Sequence, residues 1–384
     1  MGSSNGNLCK LMMLKRANYR TRFGTRSMPR LVYLFAAILL LACPSIGNAS
    51  ETVRFRDAES KERKITGTIL VEAQNGGIMI QADDSRIWMI QPEEILERQE
   101  NSEPLQSASP EAVSQRLLEE LGSGFAIYPT QHYLIAYNCN EAYVQRVGAL
   151  FEQLHRGFFT FWENQRWELD EPDYPLVAVV MRDYDSFLEY AENDIGETAK
   201  SVIGYYHLSS NRMTTFNVPN WERNVATIIH EATHQLAYNT GMQKRFADNP
   251  MWVSEGLATF FESPDMRNPG RWRSIGRVNQ VNLARWRQYL RNRPQESLAT
   301  LLADDQRFRN GSTATSAYAE SWALTYFLIR TRREEYVNYL RELSLGRPLA
   351  ERTRPERIEM FERIMGDSLV NLDKAFLTYM RRVK

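Results

Sequence analysis

His230-Glu231-Ala232-Thr233-His234 and, after it, Met251-Trp252-Val253-Ser254-Glu255-Gly256-Leu257-Ala258-Thr259-Phe260-Phe261-Glu262 decide how this chain reads. The first segment sits in a helical pattern. Asn220 stands where an N-cap belongs, and Val225, Ile228, Ile229, Leu236 and Ala237 form an apolar face. Asn239-Thr240-Gly241 is a stop signal. Helix positions i and i+4 lie about 40° apart around the axis and one turn apart along it. Two imidazoles so placed reach one metal ion. Glu231 stands beside them, off that line, where a carboxylate takes a proton from zinc-activated water. With five His and 47 acidic residues among 384, chance supplies on the order of 0.01 such motifs.

The second segment reads as another helix. Asp248-Asn249-Pro250 is its start signal, with Asn249 as cap and Pro250 at the first helical position. Twenty residues lie between His234 and Glu255, enough for a loop and an antiparallel return past the metal. Glu255 is then the third ligand of a His2Glu zinc set that keeps one position for water. Glu262 lies seven residues beyond, on nearly the same face. It reads equally as a hydrogen-bond acceptor for a ligand imidazole and as a solvated acid at a helix end.

The flanks give an α+β chain. Residues 125–138 alternate as strands, 141–164 are helix-like, 176–181 are an apolar strand, and 184–192 a short helix. Residues 202–218 hold two β-rich runs around Ser209-Ser210-Asn211, a hairpin pattern. The second run, 212–217, is expected to border the cleft and to accept an extended peptide by main-chain hydrogen bonds. Beyond Pro219 the pattern is helical to the end. Upstream, residues 50–100 form a small all-β module, an SH3-like barrel or a β extension. Its short strands are split by Asn75-Gly76 and Asp83-Asp84-Ser85. Residues 101–110 read as a polar, proline-bounded linker, which leaves 111–384 as the main domain.

Residues 1–49 read as a secretory signal or lipoprotein signal: a basic stretch, the apolar run 31–42, then small residues. Leu40-Leu41-Ala42-Cys43 resembles a lipobox, which would anchor the chain to a membrane through a lipid on Cys43. Gly47-Asn48-Ala49 fits ordinary signal cleavage. Either reading puts the mature chain outside the cytoplasm. The first 49 residues carry seven basic and no acidic residues, so 40 Lys and Arg face 47 Asp and Glu in the rest. That acidic balance argues against nucleic-acid binding. It also favours reading the Arg271, Arg273, Arg277, Arg285 and Arg287 cluster, with Trp272 and Trp286, as a solvated helix face with anchoring indoles. Three cysteines leave no disulfide scaffold. His132, His155 and His207 read as satisfied or surface histidines, His207 being the one nearest the expected cleft.

His230-Glu231-x-x-His234 followed by Trp252-Val253-Ser254-Glu255-Gly256-Leu257-Ala258 resembles the gluzincin, or peptidase-MA, pattern. In its fuller form it resembles an uncharacterised bacterial domain-of-unknown-function family of peptidase-MA-like proteins, over about residues 125–375. The resemblance implies a gluzincin-type metallopeptidase domain: a β subdomain with an edge strand over the site, the HExxH helix, and C-terminal helices. It implies Zn2+ on His230, His234 and Glu255, Glu231 as general base, and hydrolysis of a peptide or protein substrate. One departure stands out. Residues 203–218 lack the Gly-x-Met-Glu-Asn stretch that anchors a substrate amine in gluzincin aminopeptidases. Residues 317–328 resemble the gluzincin stretch carrying a catalytic tyrosine, which makes Tyr318 the expected donor to the developing oxyanion, although it reads equally as a core tyrosine. The expected function is a secreted or surface-tethered zinc metallopeptidase. The alternative is a non-catalytic, zinc-stabilised cell-envelope binding protein on the same fold.

Overall fold

A computed structural model describes residues 49–57, 60–263 and 275–384. Residues 1–48 of the signal segment, Cys43 among them, and Arg271, Trp272 and Arg273 lie outside the described residues. Helices take 51% and strands 19%, a mixed α+β chain. Two compact units divide at Ser107 and Ala108. Among the described residues no helix is long and apolar enough to cross a membrane.

The N-terminal unit is one antiparallel sheet. Its strands are β1 (Ala49–Arg56), β2 (Glu62–Glu72), β3 (Ile78–Ala82), β4 (Ile87–Ile90) and β5 (Ile95–Pro104), in the order β4-β3-β2-β1-β5. Alternation puts Val53 and Phe55, then Ile78 and Ile80, on one face, where Ile90 and Trp88 join them in a small core. Residues 101–104 depart from the expected linker. They continue β5, where Asn101 donates to Ser50 Oγ and Thr52 Oγ1 and Pro104 pairs with Ala49. Their polar side chains suit an edge strand, which faces water along one side.

The second unit, residues 108–384, opens with α1 (Pro110–Leu121), β6 (Ala126–Pro129), β7 (Tyr133–Tyr137), α2 (Glu141–Asn164), β8 (Leu176–Met181), α3 (Tyr184–Ile195), β9 (Gly204–His207) and β10 (Arg212–Phe216). The sheet order is β6-β7-β8-β10-β9; β7, β8 and β10 run parallel, while the outer strands are antiparallel to their neighbours. Every residue of β8 is buried, as its unbroken apolar run requires of a strand covered on both faces. Val179 and Met181 pack with Phe187 and Ala191 of α3, while Leu134 and Val177 meet Val113 and Leu117 of α1. Tyr133 stacks on Phe151 of α2 at 4.5 Å.

Helices then take over: α4 (Trp221–Asn239), α5 (Met251–Phe261), α6 (Gln280–Tyr289), α7 (Ser297–Ala303), α8 (Gln306–Arg309), α9 (Ala314–Thr331), α10 (Arg333–Ser344), α11 (Arg354–Met365) and α12 (Leu369–Met380). Helix α4 packs on α2, β9 and β10, α5 packs on α4, and α9 covers α5. Within α9, the fully buried Glu320 accepts from Arg293 at 2.8 Å and from Arg307 at 2.7 Å. A buried carboxylate with two guanidinium partners fixes the helix two residues from Tyr318.

Candidate metal centre

Helix α4 starts where Asn220 accepts the Arg223 N–H, and it ends before Gly241, whose φ of 74° suits glycine. Its rotation is set by Gln235, which donates at 2.9 Å to the carbonyls of Val177 on β8 and of Asn211. His230 and His234 then come together, ring centroids 4.9 Å apart and planes at 78°.

Helix α5 brings the third group by a route different from the expected one. Asn249 does not cap it; its amide donates to the carbonyls of Lys244 and Ala247. The cap position is Pro250, which has no side-chain acceptor. The Met251 N–H instead donates to Asp305 Oδ1 at 2.9 Å, and buried Arg357 of α11 holds both Asp305 and Asp248. A residue just before α8 thus terminates α5.

Glu255 Oε2 lies 3.2 Å from His230 Nε2 and 3.8 Å from His234 Nε2. The three ligand atoms lie within 4.8 Å of one another, and all three residues are buried. Ligands at 2.0–2.1 Å around a tetrahedral ion stand ~3.4 Å apart, so this group is spaced to hold a metal ion. Glu262 Oε2 is 2.8 Å from His230 Nδ1. A proton on Nδ1 then leaves Nε2 free to bind a metal, and the carboxylate orients the ring.

Electrostatics reinforce the grouping. Burial works against a charge on His230, but Glu255 and Glu262 outweigh it and raise its pKa well above the ordinary value. Burial and the charge of His230 push His234 down to about 4 against the pull of Glu255. Burial opposes ionisation of Glu255, yet the two imidazoles and the Tyr318 hydroxyl hold its carboxyl below the usual range. His234 and Glu255 thus stand in the donor forms a divalent ion needs, a neutral imidazole and an ionised carboxylate, whereas His230 would release its Nε2 proton when a metal binds.

Glu231 is turned toward the sheet. Its Oε2 accepts the Tyr206 N–H at 2.8 Å, and its buried Oε1 has no hydrogen-bond partner. Burial first, then Glu255 and Glu262, push its pKa up to about 8, while His230 and the Tyr206 N–H pull the other way. Strand β9 can come this close because Gly204 has no Cβ; one would lie 2.7 Å from Thr227 Cγ2 and 3.1 Å from the Thr214 carbonyl. The strand beside Glu231 is therefore β9. The expected cleft strand, 212–217, is largely β10, which is flanked by β8 and β9 and has no free edge for a peptide. The Arg212 side chain is buried against Glu120 at 2.6 Å.

Tyr318 lies in the second turn of α9, 3% exposed, with its ring edge-on to Phe308. Its hydroxyl is outside strict hydrogen-bonding geometry but near enough to favour the Glu255 carboxylate. It shares a small cleft with His230, Glu262, Thr227 and Thr259. Gly256 permits this: a Cβ there would meet Thr325 Oγ1 at 2.2 Å and the Ser321 carbonyl at 2.9 Å, both on α9.

The remaining histidines stand apart. His132 Nδ1 bonds Glu152 at 2.7 Å, and its ring stacks on His155 at 3.7 Å with planes 12° apart. Glu171 lies near enough to complete a three-residue group, but parallel rings aim their lone pairs side by side rather than at one point. His207 on β9 bonds Ser210 at 2.9 Å. In the arginine cluster, Trp286 is buried against Phe376, an anchoring indole, and Arg287 donates to the Val383 carbonyl.

A comparison with curated proteins gives no match. A domain of the family described as protein of unknown function (DUF1570) is found at residues 224–350, a stretch that takes in His230, Glu231, His234, Glu255, Glu262 and Tyr318.

Proposed function

We propose that this chain is a zinc-dependent metallopeptidase on a gluzincin-type fold, acting outside the cytoplasm on a peptide or protein substrate. The observation that carries the reading is the buried Glu231 Oε1, unpartnered among the described residues, on the residue next to the ligand His230 in a group already spaced for a metal. A scaffold that used the metal only for stability would have no use for that oxygen, and leaving it buried and unsatisfied would cost about 1–3 kcal/mol. Two imidazoles and one carboxylate are the donor set of catalytic zinc.

Zinc held by His230, His234 and Glu255 would supply a Lewis acid that polarises a carbonyl and acidifies water. The protein's own groups divide the remaining work. Glu262 holds His230 by its Nδ1, so the ring keeps one orientation through turnover. Glu231, fixed on the Tyr206 N–H and drawn back to its ionised form by the charge a bound zinc would bring, takes a proton on Oε1 from the attacking water and returns it to the departing amine. Tyr318 donates from the wall of the cleft to the oxygen that gains charge. Strand β9 lies along the same carboxylate, which favours an extended substrate. The signal-like leader supports an extracytoplasmic place, free or lipid-anchored at Cys43.

The test is digestion of an unbiased peptide library by the purified wild-type protein and by Glu231→Gln. Wild type should cleave, and the variant should keep its metal while losing at least ~10²-fold in rate. A wild-type protein that binds zinc and cleaves nothing would reject the reading.

A further inference from the structure

Two polar side chains on α6 face the cleft without partners among the described residues, and nothing in the chemistry above uses them. Asn282 and Arg285 are three residues apart, on one side of the helix. Both line the cleft that holds His230, Glu262 and Tyr318. Asn282 is 1% exposed, and among the described residues neither its Oδ1 nor its Nδ2 has a hydrogen-bond partner. A buried amide unsatisfied at both ends is a liability to the fold unless a ligand completes it. Arg285 is half-buried and makes no ion pair among the described residues. Its neighbours behave otherwise: Arg287, Arg293, Arg307 and Arg330 each donate to a carbonyl or carboxylate.

The placement is held from both sides. Asn279 caps α6 by accepting the Asn282 N–H at 3.1 Å, and its amide donates at 3.2 Å to the carbonyl of Thr259, one turn past Glu255 on α5. Trp286, one turn past Asn282, pins the helix against Phe376 at 5.0 Å. Asn282 is thereby tied to the helix that carries the third metal ligand.

We infer that α6 is the substrate-recognition face of this site, Asn282 pairing with a main-chain peptide unit and Arg285 with a substrate carboxylate next to the cleaved bond. The inference rests on the metallopeptidase reading above. An asparagine amide offers one donor direction and one acceptor direction, which match the C=O and N–H of a peptide. A guanidinium fork matches a carboxylate in the same way. The acid in the cleft, Glu262, is occupied by His230, so the uncommitted charge offered to a ligand is positive. The carboxylate is either an Asp or Glu side chain or the free C-terminus of a short peptide.

Matched peptides decide it. One pair carries Glu or Gln beside the scissile bond, and a second carries a free or amidated C-terminus. Wild type should favour the charged member of one pair by at least ~10-fold in kcat/KM, and that pair names the source of the carboxylate. Arg285→Ala should bring the ratio near one with metal content unchanged. Asn282→Leu should raise KM at least ~10-fold without lowering stability, because the apolar isostere removes an unsatisfied amide. A wild-type ratio near one in both pairs, or a ratio that survives Arg285→Ala, would overturn the Arg285 assignment. A destabilised Asn282→Leu with unchanged KM would overturn that of Asn282. If no peptide is cleaved, the metallopeptidase reading fails separately, and calorimetry with N-acetylglutamate decides this one. Binding by wild type that is lost in Arg285→Ala supports it; no binding, or equal binding by both, overturns it.

Discussion

The Met251 N–H donates to Asp305 Oδ1 at 2.9 Å, across 54 positions of chain. Helix α5 therefore takes its N-terminal cap from the helical region that follows it, and the position of Glu255 depends on that contact. Asp305→Ala removes the cap and one of the two carboxylates on buried Arg357. Stability should fall by about 2–4 kcal/mol and metal affinity with it. Urea unfolding with and without metal checks this, and an unchanged midpoint would show that α5 is fixed by other means.

Gly256→Ala asks whether α9 must lie directly on α5. The new Cβ would meet Thr325 Oγ1, which can turn away, and the Ser321 carbonyl, which cannot. The expected loss is about 1–3 kcal/mol, and Thr325→Ala in the same chain should recover only part of it. Full recovery would mean that the backbone approach is looser than 2.9 Å.

His155 sets a pH dependence away from the metal centre. Burial, with the charge of nearby His132, holds its imidazole down at about 4. The unfolded chain binds that proton more readily, so this contribution to stability is complete above about pH 6.5 and is lost as pH falls toward 4. His155→Phe keeps the stack on Phe159 and removes the titration. Its stability should fall less than that of wild type between pH 7 and 4.5, by on the order of 2 kcal/mol. Parallel losses in the two proteins would contradict the assignment.

Glu262→Ala tests the orientation of His230. Losing the Nδ1 partner should weaken metal binding by about 10–100-fold, measured by competition with a chromophoric chelator. Unaltered affinity would show that the Nδ1 contact does not set the orientation of the ligand ring.

Tyr318→Phe separates chemistry from packing. The ring contact with Phe308 survives, so metal content and KM should stay near wild type while kcat falls by ~10²-fold or more. A variant with normal turnover per folded molecule but lower stability would make Tyr318 a core residue.

Local signals carried the readings that matched the structure. The Asn220 cap and the i, i+4 spacing of the histidines are properties of one helix, and the hairpin turn at Asn211, with its φ of 59°, is marked by a residue that tolerates that conformation. What was missed depends on distant chain. Strand order made β9 rather than β10 the edge, because β10 pairs in parallel with β8. Residues 101–104 looked like a linker because a polar edge strand has no apolar alternation to reveal it. Asn249 looked like a cap until Asp305, folded back from the later helices, took that place. A lone Asn282 has no sequence signature, and Arg285 merged into a basic run that read as a solvated face.

Metal analysis of the purified protein tests the centre most directly. Wild type should hold about one zinc ion per chain, and the His230→Ala, His234→Ala double variant should hold none. Stoichiometric zinc retained by the double variant would contradict the assignment of these residues as the metal centre.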